Sequence, residues 1–280
     1  MIMIEFACHA WSFPDLTLTE ALGTIARLGF RRVDVGGGQG LSLTEAVRRP
    51  RAVAAEVLTD LALYNLTLSD LFLMLPRISV AEDARRLQEV ETFKALLPFA
   101  AALGAPGITV SPGVAHHLDD DAQAVERASA SLREMTAAAR AANLPLSFAT
   151  HVDSMATTPQ AAHTLLNAVE GLTLTLDWSS LVYGGAKHEE IARLIPRSRH
   201  IQVRSAAKGQ LQTTLERSKI DVGALIEDLI VMGYGGALSI TLIQSAGRHK
   251  ATRISPLAEA AALRDALREA RDLILSRQQG

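Results

Sequence analysis

The feature that most narrows what this chain can fold into is a change of hydrophobic period, repeated eight times. Short β-type runs alternate with longer stretches whose apolar residues recur every three or four positions. The strand candidates are Met3 to Cys8, Arg32 to Val35, Thr67 to Phe72, Gly107 to Val110, Leu144 to Phe148, Leu172 to Leu176, His200 to Val203 and Ala237 to Leu242. Strict alternation of strand and helix implies a parallel sheet covered by helices. Eight units in 280 residues leave ~35 each, the length of a strand, a helix and two short loops. A count of eight favours closure, so the expected architecture is α/β, a single (β/α)8 TIM barrel spanning residues 1–280. No linker or shift of composition divides the chain.

Helix boundaries are also written locally. Thr17 with Glu20, Ser42 with Glu45 and Ser79 with Glu82 have capping-box spacing. Thr158-Pro159 and Ser255-Pro256 place a capping side chain before a proline at the first helical position. Gly29 and Gly104 fall where a helix needs a left-handed residue to stop. Pro50 and Pro98 lie inside helical patterns, where a break or kink is expected. The run Gly36-Gly37-Gly38-Gln39-Gly40 lacks dinucleotide-fingerprint spacing and reads as a turn.

Charge and composition remove several function classes. Lys and Arg number 28 against 30 Asp and Glu, a net charge of -2, without the basic footprint of a nucleic-acid partner. The richest apolar stretch, Ala95 to Val110, is interrupted by Pro98, Gly104, Pro106 and Gly107, so no membrane partner is expected. Cys8 is the single cysteine and cannot form an internal disulfide; with no basic leader at the start, the cytoplasm is the expected location.

In a TIM barrel, chemistry gathers at the C-terminal strand ends and the loops after them. That rule selects His9 and Trp11 after the first strand and Asp70 in the third. His151 and Asp153 follow the fifth, Asp177 ends the sixth, Gln202 and Arg204 end the seventh, Lys208 lies in the loop beyond, and Thr241 ends the eighth. His151 titrates near neutral pH, as acid/base work requires. Asp177 is the first charge after an apolar strand; its other reading is a carboxylate paired with Arg204 across the barrel. Arg204 and Lys208 suit a carboxylate or phosphate, and Trp11 suits the wall of a sugar-like ligand. The His116, His117, Asp119, Asp120 and Asp121 cluster reads as acids at the positive end of a helix.

The stretches Leu18 to Val35, Leu103 to Val110, Leu174 to Ser180 and Met232 to Ile240, in that order, make the chain resemble the xylose-isomerase-like TIM-barrel family, the sugar phosphate isomerase/epimerase group, over essentially its whole length. The resemblance implies carbohydrate metabolism and a divalent cation held by Glu, Asp, His and Glu at the ends of strands five to eight. The matching positions here are Ala149, Asp177, Gln202 and Thr241, and Ser180 stands where the family has a further His. One ligand of four survives, so no metal and no cofactor are expected. The reading is therefore metal-independent proton transfer on a small polar carbonyl or polyol substrate, with Asp177 and His151 as base and acid and Arg204 supplying positive charge. In this reading His9, Trp11, Asp70, Asp153, Gln202, Thr241 and Lys208 bind substrate. The alternative is a non-catalytic ligand-binding barrel, or the partner subunit of a competent paralogue; a homo-oligomer or such a hetero-complex is compatible with either.

Overall fold

A computed structural model describes residues 4–38, 41–115, 121–243 and 247–277. The elements run β1 (Glu5–His9), α1 (Leu18–Arg27), β2 (Arg32–Gly36), α2 (Leu43–Arg48), α3 (Pro50–Leu63), β3 (Thr67–Leu73), α4 (Asp83–Ala102) and β4 (Ile108–Val110), then α5 (Asp121–Ala141), β5 (Leu146–Ala149), α6 (Pro159–Ala168), β6 (Thr173–Asp177), α7 (Trp178–Gly184), α8 (His188–Ala192), β7 (Ser198–Val203), α9 (Val222–Val231), β8 (Ala237–Ile240) and α10 (Pro256–Arg277). The strands close in sequence order into one parallel barrel, with β1 paired to both β2 and β8. All eight expected strands are present, each within two residues of its sequence-derived limits.

Most local signals form as written. Thr17 and Glu20 make a reciprocal capping box, Ser42 caps α2, and Thr158 caps α6 ahead of Pro159. Gly29 and Gly104 have φ of +83° and +65°, as left-handed helix stops. Pro50 ends one helix and opens the next at its first position. Two expectations need correction. Pro98 lies inside α4, which continues on both sides of it, so there is no break there. Ser79 is not a cap, because it belongs to a 3-10 turn (Pro76–Ser79) and donates its hydroxyl to Val114 O at 2.8 Å; α4 begins at Asp83 after Glu82. The partner on the neighbouring loop outcompetes the local one. The His116 to Asp120 part of the acidic cluster lies outside the described residues.

The barrel interior is unusually polar, and strand seven explains how. The β2–β3 register skips Ser69, and the β6–β7 register skips Arg199. A bulge re-aims side chains that would otherwise alternate. Arg199 and His200, consecutive on β7, therefore both engage interior carboxylates: Arg199 pairs with Asp70 of β3, and His200 Nε2 lies 2.8 Å from Asp34 Oδ2 of β2. Gly107 makes room for Arg199, since a Cβ there would sit 2.3 Å from the guanidinium carbon. Burial opposes both charges of the Asp34–His200 pair, yet their mutual attraction prevails, holding Asp34 below its ordinary pKa and His200 above it.

Candidate active site

Alternation along each strand shows which side chains reach the mouth. Ser147 accepts from Arg199 Nε inside the barrel, so Ala149, two residues on, shares that face. Thr175 bonds Thr109 across the interior at 2.6 Å, which carries Asp177 and Ser111 to the mouth. His200 faces inward, and so do Gln202 and Arg204 beyond it; Ser239 lies against Asp34, and Thr241 follows. The ends of β5 to β8 thus bring Ala149, Asp177, Gln202 and Thr241 to one mouth.

Its centre is an ion pair. Asp177 is the N-cap of α7: Oδ1 accepts from Ser180 N at 3.0 Å, and Oδ2 accepts from Ser180 Oγ at 2.7 Å and Arg204 Nη1 at 2.9 Å. Arg204 also donates through Nε to Leu211 O at 3.1 Å, through Nη1 to Thr241 O at 3.4 Å and through Nη2 to Ser180 Oγ at 3.0 Å. Both residues are buried. Four of the five guanidinium N–H bonds are thereby directed at protein acceptors. Backbone contacts fix the two strand ends, since Thr150 Oγ1 accepts from Asp177 N and Ser179 Oγ accepts from Arg204 N, each at 2.8 Å.

His151 stands beside this pair. Its Nδ1 lies 2.8 Å from Val152 O, an acceptor, which places the proton on Nδ1. Nε2 therefore accepts, and Ser111 Oγ donates to it at 2.9 Å. The hydroxyl is oriented by Gly113 N–H, which donates to Ser111 Oγ at 3.2 Å. Burial lowers the His151 pKa, with Asp177 and Asp153 pulling it back up in part, so the ring is a neutral base at neutral pH.

The opposite side of the mouth is aromatic. Trp11 lies 4.5 Å from His9 and 4.9 Å from Phe72 between ring centroids. It fits because Gly36 has no side chain: a Cβ there would meet the indole at 2.7 Å. Asp70 is one layer deeper, held by Arg199 rather than open to the mouth. Asp153 is on the exposed rim, its Oδ2 2.8 Å from His249 Nε2, and His249 Nδ1 faces Tyr183 Oη at 3.3 Å. Lys208 stands apart, beside Gly185 in an outer groove shared with Lys219 and Trp178. Sequence reading thus found the strand-end residues, Ser111 after the fourth strand and Ser180 after the sixth among them, but not the pairing of Ser111 with His151 or of Ser180 with Asp177, and it missed Arg199 and His200. Ser180 sits three residues after Asp177, a capping spacing that could have been read; the others meet only through barrel closure.

The profile of the xylose isomerase-like TIM barrel family matches residues 22–272. No curated protein matches the sequence. Among solved structures, an L-ribulose 3-epimerase superposes with a TM-score of 0.77 at 16% identity, covering 97% of each chain. A D-psicose 3-epimerase from Clostridium cellulolyticum H10, solved with D-tagatose, gives 0.78 at 15% identity over 96% of this chain and 99% of that one. The probable 3-DHS dehydratase AsbF from Bacillus anthracis gives 0.72 at 15% identity over 93% and 99%. At these identities the structural likeness is one of fold. The profile match, running from α1 into α10 and enclosing seven complete strands of a closed eight-stranded barrel, shows that the chain belongs to the xylose isomerase-like TIM barrel family.

Proposed function

We propose that the protein is an isomerase- or epimerase-like enzyme that moves a proton next to the carbonyl of a small polyhydroxy compound, and does so without a divalent cation. The observation that carries this reading is Arg204, whose guanidinium occupies the Asp177 carboxylate and the Thr241 carbonyl at the strand ends where the family resemblance places a cation. The donor set there does not fit a metal: Ala149 has no ligand atom, Gln202 and Thr241 are neutral, and Asp177 is already bound by an arginine. Among the described residues no group of three or more His, Cys, Asp or Glu forms a metal-binding cluster.

The roles follow from the hydrogen bonds. Neutral His151 is the base: its Nε2 takes the proton from carbon, the C–H pair forms a C=C bond, and the carbonyl pair moves to oxygen. Arg204 stabilises that enolate oxygen through its charge and its fifth N–H. Returning the proton to the neighbouring carbon, as the hydroxyl proton of the first carbon passes to the enolate oxygen, gives an isomer; delivery of a proton to the opposite face by water gives an epimer. Asp177 holds Arg204 in place, and Ser111 occupies Nε2 until substrate arrives. The sugar epimerases of the same fold favour a polyhydroxy ketone as substrate class. The engagement of both Asp177 oxygens by Ser180 and Arg204 supports the second reading, a ligand-binding barrel or partner subunit without turnover.

Incubating the protein with a panel of ketohexoses and keto sugar acids in D2O and following exchange of the proton next to the carbonyl by NMR separates the two. Exchange should persist in excess chelator and fall by roughly 10²-fold or more in His151→Ala, with an unchanged melting temperature. Exchange abolished by chelator and restored by a divalent cation would refute the cation-free mechanism. Undiminished exchange in His151→Ala would remove its base, and no exchange with any ketohexose or keto sugar acid would favour the partner-subunit reading.

A further inference from the structure

Of the buried polar atoms with no hydrogen-bond partner among the described residues, His9 Nε2, Gln202 Nε2 and Thr241 Oγ1 lie on inward-facing residues at the ends of their strands, while Asp34 Oδ1, Asp70 Oδ2 and Ser239 Oγ belong to the ion-paired interior layer. The first three come from β1, β7 and the end of β8, neighbours in the closed barrel, and their residues are at least 92% buried. A buried polar group without a partner costs ~1–3 kcal/mol, so three on one arc mark a site shaped for something other than the free protein. The hydrogen-bond inventory fixes their sense. His9 Nδ1 accepts from Trp11 N at 3.0 Å, so its proton is on Nε2, which is a donor. Gln202 Nε2 is an amide donor, and the Thr241 hydroxyl can donate.

An arc of donors is complemented by a group that only accepts. A sugar hydroxyl must also place its own hydrogen, and three of the roughly four acceptor positions of the nearby Asp177 carboxylate already serve Ser180 and Arg204. A carboxylate has about four acceptor positions and no hydrogen to place. The Asp177 charge is offset by Arg204 at 2.9 Å, and the Asp34 and Asp70 charges that act on His9 are offset by His200 and Arg199, so none of them bars an anion. A phosphate dianion calls for free cations, and Lys208 lies in a different groove. We propose that His9, Gln202 and Thr241 form a neutral three-donor cradle for a carboxylate, which makes the natural substrate a sugar acid rather than a plain sugar. The proposal rests on reading the mouth as the substrate site, and deepens it.

The test is calorimetric binding of D-gluconate to the intact protein, with D-sorbitol as the matched polyol and inorganic phosphate as a second anion. Gluconate should bind, and sorbitol and phosphate should bind at least 10-fold more weakly. Thr241→Val and Gln202→Leu should each weaken gluconate by roughly 10-fold or more. Because both groups are unpartnered in the free protein, neither substitution should lower the melting temperature, an outcome a purely structural role would not give. Equal binding of sorbitol, tighter binding of phosphate, no binding of gluconate, or gluconate affinity unchanged in both variants would each overturn the cradle. Undiminished proton exchange in His151→Ala with gluconate binding intact would instead refute the assigned base while leaving the cradle standing.

Discussion

His9 shows how one residue can tie the site to stability. Burial drives its pKa down to about 4, with Asp34 and Asp70 opposing that shift. In the unfolded chain it titrates near ~6.5. Between these values the unfolded chain binds the extra proton and the native state does not, so stability falls as pH drops from about 6.5 towards 4, by up to about 3 kcal/mol. His9→Asn keeps an acceptor for Trp11 N, since Asn is a good N-cap, and removes the titration. Urea unfolding at a series of pH values should give a shallower acid-side slope for His9→Asn than for wild type; superimposable slopes would contradict the buried neutral imidazole. The residual slope belongs partly to His151, whose pKa burial also lowers. At this scale the sequence was informative where chemistry is local. Asp177 announces itself as the first charge after an apolar strand and His151 as a titratable side chain at a strand end. Ser111 carries no such mark, because the atom it serves is 40 residues away on the next strand.

Among the elements, β7 carries the feature that periodicity could not show. The sequence begins this strand at His200, and regular alternation would send Arg199 outward. The bulge turns it inward, and the strand begins at Ser198. Its consequence falls on Gly107, just before β4, whose backbone φ is ordinary but whose missing side chain leaves space for the Arg199 guanidinium. Gly107→Ala should therefore displace Arg199 from buried Asp70 and cost about 3 kcal/mol, the scale of breaking a buried ion pair. Gly235 has open space around its Cβ position, so Gly235→Ala should be neutral or slightly stabilising. Comparable losses at both positions in chemical denaturation would mean that backbone freedom, and not the Arg199 contact, is what Gly107 provides. Helix starts were more legible than strand interiors, because a cap such as Thr158 acts on residues three positions away. Ser79 failed by the same logic: its capping-box spacing lost to Val114, whose approach no local pattern encodes.

For the whole molecule, closure was legible from the repeated change of period, and the charges that cross the closed barrel were not. Asp34 and His200 are 166 residues apart and join β2 to β7, tying the first half of the chain to the second. Both are fully enclosed. Removing one partner leaves the other buried and uncompensated, so Asp34→Asn and His200→Gln should each destabilise by about 3 kcal/mol. The double variant buries two amides and should lose much less than the sum, a coupling of at least about 1 kcal/mol. The shifts determine how that coupling depends on pH. Asp34 is held below its unfolded pKa, so its contribution is complete above that value and is lost as pH falls through the depressed one. His200 is held above its unfolded pKa, so its contribution is complete below about 6.5 and disappears as pH rises through the raised value. Coupling measured by urea denaturation of the four proteins should therefore be larger at pH 5.5 than at pH 9. A coupling that is the same at both pH values would mean the pair is held by a neutral hydrogen bond, and that the barrel's interior charges do not bind its two halves together.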